Sequence, residues 1–366
     1  MKIKKYIIWV FAVGVVVLLV RDAKTAILYA RDALNMCFEM IVPTLFPFFI
    51  CSGLLIYSGF SEVMARAFRF CMYPLFRVAP AGSGAFVLGI VSGYPLGAVT
   101  AGELYMNGYL SKSEAERLLA FCNNSGPLFI LGSVGIAVYS DMRCGIAMYL
   151  THILAAVTVG FLFRFYGRKK HSSPPTIMTS PERNVSEIFD IALQNGIRSI
   201  LTVCGAVVFF SVASRLIIGL LPIGGTLGAL ANGAAEFVTG TVGIASLDIP
   251  LAKKLIFTSA VVGFAGISVH VQVMAVIAKY NLSLVPYFIG KLLHGFFAAL
   301  YMIIYLHFNP VTEAVFEPSM SRAFAGVSAF ELTVALIVVS ACLAYAVASY
   351  IKHERDRAIR YRQEIE

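Results

Sequence analysis

Charge is what this sequence has least of. Charged residues fill 13% of 366 positions, against roughly 25% in an average soluble domain. Hydrophobic residues fill 59%, and mean hydropathy is +0.81. A soluble fold of this length has too little interior to hide that apolar surface, so lipid is the solvent that fits. No CxxC pair groups Cys37, Cys51, Cys71, Cys122, Cys144, Cys204 and Cys342. A disulfide or metal framework would need closer grouping, and the expectation is buried thiols behaving as small apolar groups. No HExxH, GxSxG or paired intramembrane aspartates occur, so neither an enzyme nor a bound metal or cofactor is expected. The absence of a GxxxxGK[ST] loop means that ATP-driven transport would need a partner chain. No basic stripe with interleaved aromatics lies outside the apolar runs. The net charge of +9 is therefore no sign of nucleic acid.

Long apolar runs are what is present. A membrane helix needs about 20 mainly apolar residues. Candidate segments fall at 6–20, 38–60, 84–104, 118–139, 145–163, 199–221, 225–246, 254–278, 283–307 and 328–351. The first follows Lys2, Lys4 and Lys5 and reads as an uncleaved span, because Arg21-Asp22-Ala23-Lys24 offers no small-x-small cleavage site. Simple alternation puts the most basic internal loop, with Arg164, Arg168, Lys169, Lys170, Arg183 and Arg198, outside. That opposes the positive-inside rule. Two segments are visibly broken, one by Cys122-Asn123-Asn124-Ser125-Gly126-Pro127 and one by Gly263-Phe264-Ala265-Gly266-Ile267-Ser268. Reading each as a re-entrant hairpin leaves about eight transmembrane helices, both termini cytoplasmic and most basic residues inside. The expected fold is an all-α polytopic membrane protein with two re-entrant hairpins.

The breaks repeat. Gly93 and Gly126 are 33 positions apart, as are Gly233 and Gly266, with an offset of 140 between the pairs. This spacing predicts two related units, 38–163 and 199–307, of opposite orientation. They are flanked by an N-terminal span and amphipathic connector (1–37), a cytoplasmic linker (164–198) around Ser172-Ser173-Pro174-Pro175, and a C-terminal span with a basic tail (308–366). Inverted repeats with broken helices at the bilayer midplane are a secondary-transporter architecture.

Unpaired backbone in lipid costs several kcal/mol per group, so such breaks persist only against protein or a wet cavity. Three are candidate binding elements: Ser92-Gly93-Tyr94-Pro95, Asn123-Asn124-Ser125-Gly126, and Asn232-Gly233 with Glu236. Close helix packing by glycine is the competing account. Glu236 is positioned for a coupling proton or cation (H+ or Na+), or a polar substrate group; a pair with Arg215 or Lys291 is the alternative. Lys291 is a candidate anion ligand unless it snorkels. Gly266, Ser268, His270 and Gln272 follow the second break and could line the same cavity. His152 and His294 read as packing histidines. Ser111–Arg117 fits a short amphipathic helix with a serine cap.

Pro43–Phe49, Ser92–Ala98 and Phe121–Pro127 together resemble the YlbJ (SpoVV) type of sporulation integral membrane proteins, within the nucleoside-recognition or Gate-domain group. The resemblance runs over about residues 30–310 and is weaker in the second half. It implies a place in the outer forespore membrane of the mother cell and similarity to concentrative nucleoside transporters. It implies dipicolinic acid as substrate; a nucleoside remains a second candidate. A non-transporting scaffold for sporulation enzymes is the competing reading, and a homo-oligomer is left open.

Overall fold

A computed structural model describes residues 2–59, 66–68, 70–167 and 184–310, and every regular element among them is helical. The candidate span 328–351, the tail, and linker residues 168–183 with Arg168, Lys169, Lys170, Arg183 and Ser172–Pro175 lie outside the described residues.

Five stretches are long and apolar enough to cross a membrane: Ala23–Leu55, Met142–Phe163, Val185–Ile218, Leu251–Tyr280 and Val285–Phe308. The chain opens with α1 (Lys2–Arg21) and α2 (Ala23–Met36). Asp22 starts α2 by accepting the Thr25 N–H at 3.4 Å. A widened turn at Cys37–Ile41 passes into α3 (Val42–Tyr57), which carries Pro47 in its interior. The expected span at 38–60 is thus the second part of a longer helix.

Next come two short helices, α4 (Ser83–Val91) and α5 (Leu96–Met106), then the amphipathic α6 (Lys112–Leu119). Ser111 and Glu114 close a capping box at the start of α6, satisfying amides that would otherwise lack partners. After the stretch Phe121–Gly126 comes α7 (Leu128–Val138), wound more widely than an α-helix. At its end the Tyr139 N–H donates to Val134 O, five residues back, at 3.0 Å. Helix α8 (Met142–Phe163) completes the first half.

The second half runs in the same order: a long helix α9 (Val185–Ile218), short α10 (Gly225–Ala235) and α11 (Phe237–Ala245), α12 (Leu251–Phe264), α13 (Gly266–Ile277) and long α14 (Val285–Phe308). Helix α3 packs along α9, and α14 packs along both α8 and α12. Between α8 and α14 the rings of His152 and His294 lie 4.3 Å apart, centroid to centroid.

The chain doubles back at different breaks from those expected. Helices α4 and α5 pack face to face, as do α10 and α11, whereas α12 and α13 barely touch. Hairpins therefore occupy 83–106 and 225–245, where full spans were expected. The segments 118–139 and 254–278, expected as hairpins, do not pack back on themselves: the first is interrupted at Phe121–Gly126 and the second at Ala265. Length and sterics give the reason. Hairpin arms of 9 and 11 residues reach about 14–17 Å at 1.5 Å per residue, half the ~30 Å hydrocarbon core. Glycine lets the arms touch. A β-carbon at Gly240 would overlap Gly233 Cα, and one at Gly97 would sit 3.2 Å from Gly89 Cα.

Candidate functional site

Both hairpin tips and both helix breaks converge on one cavity. The first tip supplies Ser92, Gly93 and Tyr94, and the first break supplies Ser125 and Gly126. The second tip supplies Glu236, Phe237 and Val238; the start of α13 supplies Ser268, Val269 and Gln272. Leu45, Phe48 and Phe49 of α3, with Val203 and Val207 of α9, close the apolar side. About 50 Å³ of the cavity admits the centre of a water molecule. That is room for a few waters, at roughly 10–15 Å³ each on this measure.

Backbone contact fixes tip to break in each half. A β-carbon at Gly93, where φ is +77°, would lie 3.1 Å from Gly126 N. One at Gly266, where φ is +70°, would lie 3.0 Å from Phe237 N. At these two positions only glycine combines positive φ with so close a neighbour.

The first break is wide and polar. Asn123 Nδ2 donates to Leu119 O at 3.3 Å, and Asn124 Nδ2 to Phe121 O at 3.0 Å. The first takes a carbonyl that α6 leaves open at its end, and the second takes one within the break itself. The Ser125 N–H donates to His152 Nε2 at 3.1 Å. Tyr94 and Ser125 hydroxyls bond to each other, joining tip to break. Lys291 Nζ donates to Asn123 O at 3.1 Å. Asn123, Asn124 and Lys291 are buried behind the break and do not line the cavity.

The second break is narrow. Ala265 alone, at φ 73°, separates α12 from α13, and its N–H donates to Val261 O at 2.8 Å. Glu236, fully buried, caps α11. Its Oε1 accepts the Val238 N–H at 3.2 Å, and its Oε2 accepts the Thr239 N–H at 2.7 Å and Thr239 Oγ1 at 2.9 Å. Pairing with Arg215 or Lys291 is not what holds it. Arg215 lies 3.1 Å from Asp32 and over the Tyr29 ring.

Of the residues expected at the site, Ser92, Gly93, Tyr94, Ser125, Gly126, Glu236, Ser268 and Gln272 meet at the cavity. Pro95, Gly233 and Gly266 shape the tips and breaks without lining it. Asn232 ties α10 to α9, accepting from Ser214 Oγ at 3.3 Å, and borders a separate recess with Arg215. His270 packs among the rings of Phe264, Tyr287 and Phe288. Sequence reading missed the aromatic wall, in which Phe237 stands 5.8 Å from Tyr94 and 5.1 Å from Phe129, centroid to centroid. In a chain with 28 phenylalanines nothing marks those two.

The chain is 30% identical over 324 residues, 79% of each chain, to the sporulation integral membrane protein YlbJ of Bacillus subtilis (strain 168). It belongs to the YlbJ family of sporulation integral membrane proteins. As a member it is an integral, multi-pass membrane protein. No family profile matches the chain, and no solved structure does.

Proposed function

We propose that this chain is a transporter, not an enzyme, and moves a small organic anion across a membrane during endospore formation. Dipicolinic acid is the first candidate. The observation that carries the reading is the single cavity bounded by two hairpin tips and two helix breaks, one of each from either half. Such a meeting point near the bilayer midplane is what alternating access between two repeats requires. The corresponding arrangement is an inverted repeat of about eight spans, with re-entrant hairpins at 83–106 and 225–245.

The cavity suits a flat aromatic acid. Tyr94, Phe129 and Phe237 offer ring faces and edges. Helices α7 and α13 both begin at the cavity, and helix starts carry free N–H groups with partial positive charge. The Glu236 carboxylate is engaged by the start of α11, which offsets its charge toward an anionic solute.

Uptake of labelled dipicolinate and labelled uridine into proteoliposomes, with and without sodium and proton gradients, tests this. Saturable uptake of dipicolinate supports the reading. Uptake of uridine alone replaces the substrate, and uptake of neither rejects transport.

A further inference from the structure

We propose that Lys291 is the proton-carrying residue of the transport cycle, neutral in the conformation described above and protonated in another. The inference rests on the transport reading and adds a coupling ion to it.

Hydrogen-bond bookkeeping around the amine carries the case. Lys291 is 1% exposed. Its Nζ donates to Asn123 O at 3.1 Å and lies 3.3 Å from His294 Nδ1. His294 Nε2 lies 3.0 Å from His152 O, a carbonyl that can only accept. Nε2 therefore carries a hydrogen, and in the neutral ring Nδ1 is left to accept from Lys291. A neutral amine has two N–H groups, and here it has two acceptors. An ammonium would bring a third N–H and a full charge. Lys291 forms no ion pair among the described residues; the Tyr94 ring, its centroid 5.8 Å from Nζ, offers a cation less than a carboxylate would, and a buried ion without a counter-charge costs several kcal/mol. The titratable groups facing it are Cys122 on the break, Tyr94 on the hairpin, His152 on α8, His270 on α13 and His294 on its own helix. None is a carboxylate.

A proton taken up there adds to the Nζ lone pair, and the new N–H needs an acceptor. Asn123 Oδ1 and Asn124 Oδ1 are buried and have no partner among the described residues. Asn123 is the residue whose main-chain oxygen the amine already holds. Turning an asparagine oxygen toward the ammonium pulls on Cys122–Gly126, and Ser125 and Gly126 of that segment line the cavity. Protonation and cavity shape are thereby linked through one stretch of backbone.

The test compares two assays of the full chain in proteoliposomes: dipicolinate accumulation under an imposed pH gradient, and exchange of labelled for unlabelled dipicolinate without one. Wild-type accumulation should follow the gradient. Lys291→Gln should lose accumulation at least tenfold while exchange falls less than tenfold; Lys291→Met is the second variant if the first does not fold. Gradient-driven accumulation that survives in either variant overturns the proposal. So does wild-type accumulation indifferent to pH while exchange proceeds. Absence of wild-type exchange with both dipicolinate and uridine rejects the transport reading itself.

Discussion

The two halves of the molecule reach the cavity with the same parts but make their helix breaks differently. The first break spans Phe121–Gly126 and is held by side chains from three other elements: Tyr94, His152 and Lys291. The second is a single residue, Ala265, with both neighbouring helices kept intact. The hairpins show the same balance. The first turns over four residues, Ser92–Pro95, and the second over Glu236 alone, whose carboxylate does the capping. The half with long polar breaks therefore carries more adjustable backbone. The half with short breaks is set by one left-handed residue and one carboxylate.

Substitutions can break or sharpen this contrast, starting with what the halves share. Gly89→Val and Gly240→Val should both prevent recovery of folded protein. Each forces a side chain into backbone, at Cys122 O and at Gly233 respectively, and overpacking of that kind costs about 3 kcal/mol or more. Size-exclusion chromatography of purified protein reads this. A normal profile for one variant alone would mean that the hairpins are not equivalent.

Glu236→Ala comes next. It removes the acceptors of two main-chain amides and a hydroxyl at the second tip, a loss of about 2 kcal/mol. Solute accumulation should fall at least tenfold with protein still present in the membrane. Asn124→Ala removes one bond, to Phe121 O, costing about 1 kcal/mol. Because it loosens the wide break, its effect on accumulation should exceed its effect on melting temperature. Ala265→Gly is the smallest and has the opposite sign. Glycine adopts φ near 73° without the left-handed cost of about 1–2 kcal/mol, so thermal stability should rise by about 1 kcal/mol.

Much of this was legible in the sequence. Scarce charge and long apolar runs gave the membrane and the helices, and the glycines at 93, 126 and 266 sit at breaks, whereas Gly233 lies inside α10, three residues before the tip at Glu236. Which break in each half doubles back was not legible, and the reason is electrostatic. Exchanging hairpin and interrupted segment moves Lys112 and Arg117 to the inside and Lys253 and Lys254 to the outside, so the positive-inside balance is unchanged. The decisive signal lay in packing: Gly89 with Gly97, and Gly233 with Gly240. Polar residues beside a break also split in a way that spacing cannot show. Ser125 faces the cavity, while Asn123 and Asn124 turn back onto the carbonyls of Leu119 and Phe121. Lys291 reaches across from the other half to hold the main chain at Asn123.

The account stands on solute occupying the space between the two tips, and one cysteine placed there reads it directly. With the native cysteines replaced, Gln272→Cys should react with a membrane-permeant maleimide. Dipicolinate should slow that reaction with the same half-saturating concentration as uptake in the same variant. Labelling that proceeds at an unchanged rate while uptake saturates would put the solute elsewhere and contradict the account.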